Sequence, residues 1–255
     1  MNLLEKISRK NIYIYLFSKY IYQNYLYRFF FEEEFKILKY IKDKKKIILD
    51  IGSNSGVSAK SIRLFNSHNK IISLEPNKNL KSKLFNLKKK IPLFNFFLFG
   101  ALNQKKKIPL FIPFFKKYSL DAQSSIKLEY VLDSLKRGIF EKNILKKVFI
   151  KKINCEFKPI DDLKLNPFFV KVDTEGSEHL VLRGMAKTVR KTKPVLMIEK
   201  NDINFNLVKN FLTKHNYNIY SFKNEKLRIY KFKSKEHLNI ICIHKSQKKI
   251  LKIFF

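Results

Sequence analysis

The chain has 255 residues, 45% hydrophobic and 29% charged, a balance that excludes a disordered or membrane-embedded protein and suits one α/β domain with decorations. Its formal net charge of +33 invites phosphate-rich partners, but the cations are overwhelmingly Lys, with Arg only at positions 9, 28, 63, 137, 183, 190 and 228. Accompanied by abundant Asn, Ile, Phe and Tyr, such a surface reads as the solvated face encoded by an AT-rich gene, so nucleic acid is not an expected partner.

Cys155 and Cys242 lie far apart and form no C-x-x-C pair, which removes a disulfide framework and a zinc cluster. Basic residues Lys6, Arg9 and Lys10 precede an apolar run over residues 12–17, yet that run stops at Ser18 and Lys19 with no small-residue cleavage site after it. The spacing of Ile12, Leu16, Tyr20 and Tyr27 predicts a helix laid against the domain or against a membrane surface. Lys19, Gln23, Asn24 and Arg28 interrupt the stretch too often for it to span a bilayer. The expectation is a cytoplasmic protein whose aromatic segment offers a peripheral contact to the inner membrane. The division expected is an aromatic and basic helical extension over 1–45, the main domain over 46–245 and a basic tail over 246–255.

From Lys46 the texture changes. Ile47, Ile48 and Leu49 form a short continuous apolar run ending in Asp50, Ile51 and Gly52, as in a strand buried on both faces of a parallel sheet. A helix follows from near Asn54 past Val57, Ser61, Ile62 and Phe65, then a strand over 71–74 ending at Glu75 and Pro76. Leu80, Leu84 and Leu87 at i, i+4, i+7 predict a second helix, and residues 94–99 a third strand running into Gly100 and Ala101. This alternation implies right-handed βαβ crossovers and a Rossmann-like α/β fold. Pro109 and Pro113 argue against a long helix before Lys116, while 126–135 can form one, so 103–146 is the expected insertion over the active site. Strands are expected over 148–157, 168–172, 195–198, 217–222, 228–232 and 239–244. Helices are expected over 178–189 and 205–212, with a short helical start at 159–163 capped by an acid.

Gly52 and Gly56, in the turn from Asp50 through Ser53 and Asn54, let the backbone approach a ligand closely, although Asn54 breaks the G-x-G-x-x-G pattern. Glu75 ends the second strand, where an acid can accept both hydroxyls of a ribose; this suits NAD and S-adenosylmethionine alike. The predicted strands ending in Asp50, Glu75, Asp173 and Glu199 converge on one crevice and make an acidic pocket in a very basic protein. Such a pocket suits a cationic ligand and removal of a proton from a hydroxyl. Glu178 has the simpler reading of a helix N-terminal acid, and Glu199 that of a partner for Lys200 or Lys171.

Taken together these motifs are similar to the FkbM-type methyltransferases. The turn from Asp50 to Gly56 resembles their first motif, Glu75-Pro76 their second-strand acid, and Gly100-Ala101-Leu102 the end of their third strand. The block from Val172 to Glu178, with Leu182-Arg183-Gly184 and Pro194 to Glu199, resembles their most distinctive segment; Thr174 and Ser177 depart from it mildly. The resemblance covers about residues 45–222. It implies the class I methyltransferase fold, a mostly parallel sheet with helices on both faces. It also implies S-adenosylmethionine as cofactor and O-methylation of a sugar, glycan or other small hydroxylated metabolite. On the same basis Asp50, Gly52, Ser53, Asn54 and Gly56 would hold the amino-acid end of the cofactor and Glu75 its ribose, with Gly100 and Ala101 near the adenine. Asp173 and Glu175 would stand beside the methyl group, with Glu199 at the same acidic end and His179 a weaker base candidate. No metal is required, although Asp173, Glu175 and Glu199 offer carboxylate ligands to one. An RNA-binding or RNA-modifying protein working through its Lys-rich surface and an NAD-dependent oxidoreductase remain as alternatives.

Overall fold

The computed structural model describes residues 11–136, 140–231 and 238–254. Lys6, Arg9, Lys10, Arg137, Phe232 of the strand expected at 228–232 and Phe255 of the tail lie outside the described residues. The strands are β1 (Ile47–Ile51), β2 (Ile71–Leu74), β3 (Phe94–Phe97), β4 (Gly100–Ala101), β5 (Lys106–Phe115), β6 (Tyr118–Ser119), β7 (Val148–Lys158), β8 (Pro167–Val172), β9 (Val195–Glu199), β10 (Tyr217–Lys223), β11 (Lys226–Ile229) and β12 (Asn239–His244). The helices are α1 (Ile12–Asn24), α2 (Val57–Phe65), α3 (Lys81–Lys90), α4 (Leu128–Lys136), α5 (Lys142–Leu145), α6 (Glu178–Gly184), α7 (Ala186–Thr192), α8 (Phe205–Lys214) and α9 (Lys248–Phe254).

An eight-stranded sheet runs in the order β11-β10-β12-β9-β8-β1-β2-β3. The run from β3 to β9 is parallel, and β12 pairs antiparallel with both β9 and β10. Successive residues of its central strands serve opposite faces: Ile48, Phe169 and Met197 join one apolar cluster, and Leu49, Val170, Leu196 and Ile198 the other. Both faces are therefore covered, and the polar groups at the C-terminal strand ends are left for a ligand. The parallel α/β core matches the fold expected from the sequence.

The expected third strand is shorter than its apolar run. It stops at Phe97, and Gly100 and Ala101 belong instead to a second sheet of order β4-β7-β5-β6. Pro109 and Pro113, which argue against helix, lie inside ten-residue β5. They share a parity with Phe111, whose N–H bonds Ser125 away from β7, so the missing proline N–H groups face the side that β7 does not use. The helix expected over 178–189 is broken at Met185. Asp161 supplies the new N-terminus of α7, accepting from the amides of Lys187 at 3.0 Å and Thr188 at 2.7 Å. The acid near 159–163 thus caps another helix rather than its own.

Helix α1 opens on Asn11, whose side chain accepts from the amides of Tyr13 and Ile14. Ile12 packs with Phe115 and Leu120 of the second sheet region, while Phe35, Ile37 and Leu38, farther on, enter the core of the large sheet. The N-terminal segment therefore lies against the domain, although Phe17, Tyr20, Tyr25, Phe29 and Phe30 remain exposed. Among the described residues no helix is long and apolar enough to cross a membrane.

Candidate active site and cofactor cavity

At the C-terminal ends of the parallel strands lies a cavity of about 710 Å³. Its wall includes Gly52, Ser53, Asn54, Glu75, Gly100 and Ala101 from the positions implied for the cofactor, and Asp173 and Glu175 from those implied for chemistry. The turn after β1 and the loop after β8 touch directly. A Cβ on Gly52, whose φ is +84°, would come within 1.6 Å of the Asp173 carbonyl oxygen, so only glycine permits the contact. Both walls also carry non-glycine residues with left-handed backbone, Asn54 at φ 48° and Glu175 at φ 50°.

Glu75 is spread across two loops. One carboxylate oxygen accepts from the Asn54 amide at 2.7 Å and the other from the Asn77 amide at 2.8 Å. Burial pushes its carboxyl up to about 7, against these two amides. Ser53 carries a buried hydroxyl with no partner among the described residues. A cavity wall with an orphaned hydroxyl and a buried acid fits a polar ligand.

Four residues expected at the site lie outside the cavity wall: Asp50, Gly56, His179 and Glu199. Asp50 is fully buried beneath the turn rather than in the wall: Oδ2 accepts from Ser58 Oγ at 2.8 Å and Ser73 Oγ at 2.7 Å. Gly56 is also absent from the wall; a Cβ there would meet the Leu87 side chain at 2.3 Å, so this glycine seats the turn against α3. His179 sits one helical position past Glu178, outside the wall, with its Nδ1 unpartnered among the described residues; burial, then Lys127 and Arg183, hold the imidazole below its ordinary value.

The sheet register explains the charge arrangement. Asp50 pairs with Ser73 on one side and Lys171 on the other, so the three side chains form a row on one face. Lys171, 2% exposed, donates to Asp173 Oδ2 at 2.7 Å and stands 3.8 Å from Glu32 Oε1. Burial alone would favour its neutral form, but Asp173, Glu32 and Asp50 outweigh this and hold the ammonium above its usual range.

Around this pair the remaining acids have separate roles. Glu178 Oε1 accepts from Thr174 N and Oγ1 at 3.0 Å and from Gly176 N at 3.1 Å, while Oε2 accepts from Asn204 Nδ2 at 2.6 Å. It organises the loop and is fully buried, outside the cavity wall. Glu175 Oε2 accepts from the Tyr130 hydroxyl at 2.8 Å, and Ser125 Oγ donates to the Glu175 carbonyl at 2.8 Å. Glu199 has a buried oxygen without a partner among the described residues; Lys200 pairs with Asp202 at 2.7 Å and Lys171 with Asp173, so neither proposed cation pairs with it there.

Ligand atoms of Asp173, Glu175 and Glu199 lie within 4.8 Å of one another. Burial first, then Asp173, raises the carboxyls of Glu175 and Glu199 above the ordinary range. Relief comes from a shared proton or from a cation in the cavity, organic or divalent.

Several wall residues had no functional signal in the sequence. Tyr15, Ser18, Lys19, Tyr22 and Gln23 come from α1 or its end, and Glu32 from just before a short 3₁₀ segment. The run Glu32-Glu33-Glu34 in so basic a chain was the available clue to Glu32. Ser125 of the wall precedes α4, and Tyr130, which lies within α4 outside the wall, reaches the site through Glu175; composition marks neither.

A family model for the methyltransferase FkbM domain matches residues 50–219. No curated protein matches the chain. Among solved structures the fold is similar to methyltransferase FkbM from Methylobacillus flagellatus KT, at 16% identity and a TM-score of 0.51. That similarity covers 80% of this chain and 45% of the other, so this chain spans less than half of that protein. A precorrin-6y C5,15-methyltransferase from Geobacter metallireducens GS-15 matches at 12% identity and a TM-score of 0.42, over 83% of this chain and 84% of that one. An rRNA methylase from Streptococcus thermophilus matches at 10% and 0.41, over 82% and 91%.

Proposed function

The chain belongs to the FkbM methyltransferase family, and on that premise we propose that it moves a methyl group from S-adenosylmethionine to a hydroxyl oxygen of a sugar, glycan or other small hydroxylated acceptor. The observation that carries this reading is the junction of two walls in one cavity: a glycine turn with Ser53 and Glu75 on one side, and Asp173 with Glu175 on the other.

The cavity residues fit the cofactor. The Ser53 hydroxyl, without a partner among the described residues, and the cavity-lining turn would offer hydrogen bonds to its amino-acid end, and Glu75 in the same wall would accept the ribose diol. Uncompensated carboxylates at Glu175 and Glu199 favour a positive charge nearby. Bound S-adenosylmethionine supplies an electrophilic methyl carbon on a cationic sulfur.

The protein's part is to position and to take a proton. Asp173, fixed by Lys171 at 2.7 Å, is an oriented acceptor for a hydroxyl. Glu175, steered by Tyr130, is the candidate proton acceptor: burial and Asp173 raise its affinity for protons, and the positive charge of bound cofactor would favour the ionised form that accepts one. Most of the acceleration then comes from holding the acceptor oxygen in line, with α1 and the second sheet limiting access of water.

Calorimetry with S-adenosylmethionine and NAD, followed by incubation with methyl-labelled donor and hydroxylated sugars, tests the reading. Binding of the sulfonium and not of NAD, with alkali-stable label on an acceptor oxygen, is the expected result. Glu75→Ala should weaken cofactor binding by about 1.5–3 kcal/mol, the range for hydrogen bonds to a charged group. An unchanged dissociation constant removes Glu75 from the site, and NAD binding without sulfonium binding overturns the assignment.

A further inference from the structure

A second concavity of about 520 Å³ adjoins the first and shares Lys19, Gln23, Ser55 and Asp121 with it. Its chemistry is opposite. Lys19 of α1, Lys60 of α2, Lys83 and Lys90 of α3 and Lys117 after β5 line it, against the single acid Asp121. Asp121 is already engaged, accepting from Asn77 Nδ2 at 3.0 Å and Ser119 Oγ at 2.9 Å. Among the described residues none of these lysines forms an ion pair.

In a chain this basic, lysines on a surface decide nothing by their number. Convergence is the distinguishing feature. Lys83, Asn86, Leu87 and Lys90 fall at i, i+3, i+4 and i+7, so one stripe of α3 faces the concavity, and three other segments add cations from other directions. Lys60 is fixed there by a 2.6 Å bond to the Gln23 carbonyl and lies 5.0 Å from the centre of the Tyr27 ring. Burial, then Lys90, lowers its ammonium below the ordinary value. Burial also lowers Lys19; Asp121 opposes the shift and Lys83 adds to it. Five lysines thus converge on a concavity whose one lining acid is Asp121.

We propose that this basic concavity holds the phosphate or diphosphate of a small phosphorylated acceptor, such as a sugar phosphate or nucleotide sugar, whose hydroxyl end reaches Asp173 and Glu175. The inference rests on the methyl-transfer reading and deepens it by naming the substrate class. Ammonium groups bind phosphate as point charges, and no arginine fork lines the site as nucleic-acid recognition usually prefers. A concavity this size accommodates a headgroup rather than a duplex.

The test titrates pyrophosphate, uridine diphosphate glucose, glucose and a short RNA into the full chain without cofactor, at one ionic strength of about 0.15 M. Both phosphorylated probes should bind and glucose should not. Lys83→Gln with Lys90→Gln should weaken the phosphorylated probes about tenfold or more, since each lost ammonium removes a charge-assisted contact. Lys248→Gln with Lys249→Gln removes the same charge from the exposed surface of α9 and should leave affinity within about twofold, because screened distant charges contribute little. Equal losses in the two double variants, no binding of either phosphorylated probe, or tighter binding of the RNA overturns the proposal. S-adenosylhomocysteine is titrated separately. If it fails to bind while the phosphorylated probes still depend on Lys83 and Lys90, the methyl-transfer reading falls and the anion site stands.

Discussion

At the scale of single residues, Asp173 and Glu175 differ in what surrounds them. Glu175→Gln keeps shape and the Tyr130 contact while removing the charge, so turnover of an identified acceptor should fall by about 10² to 10⁴ with the fold intact. Asp173→Asn should also lower turnover, but it leaves buried Lys171 facing Glu32 at 3.8 Å without its 2.7 Å partner, so stability should drop as well. Turnover and urea unfolding measured on both variants separate these effects; wild-type turnover in both makes the two acids structural. Asp50 shows why such roles are hard to read in advance. Its place before a glycine turn suggests ligand contact, yet the row formed with Ser73 and Lys171 buries it, and only strand register reveals that row.

At the scale of elements, the loop between β8 and α6 owes its shape to one carboxylate. Glu178 gathers donors from Thr174, Gly176 and Asn204, so Glu178→Ala leaves several buried donors without an acceptor. The expected loss is about 1–3 kcal/mol for each group left unsatisfied, with cofactor and acceptor affinities falling together because the loop carries Asp173 and Glu175. A variant that unfolds at the wild-type urea midpoint contradicts this role. The strands with continuous apolar runs were legible because burial on both faces leaves a simple signature. The second sheet was not: β5 has exposed and buried residues in no strict alternation and two prolines, and its pairing with β7 joins residues far apart in the chain.

At the scale of the whole molecule, buried acids set the response to pH. Burial pushes the Glu34 carboxyl from its ordinary 4.5 up to about 7, and that of Glu75 likewise. Between those values the folded chain binds more protons than the unfolded one, so their stabilising contribution is complete below about 4.5 and is lost as pH rises to about 7. Glu34→Gln, outside the cavity wall, should flatten part of the decline in urea-midpoint stability across that window. An unaltered pH profile in this variant rules Glu34 out as a source.

The sequence by itself determined the parallel α/β core, the succession of its central strands and helices along the chain, the glycine turn and the family. Each is written in local patterns: apolar runs, helical spacing and short motifs at strand ends. Tertiary structure alone decided which acids face the cavity, because side-chain direction follows from strand register and from what packs above. It alone brought α1, Glu32 and Tyr130 to the site, and it alone gathered lysines from four segments into one concavity. Those contacts join distant residues, and composition cannot distinguish a lysine turned toward a cavity from one turned toward water.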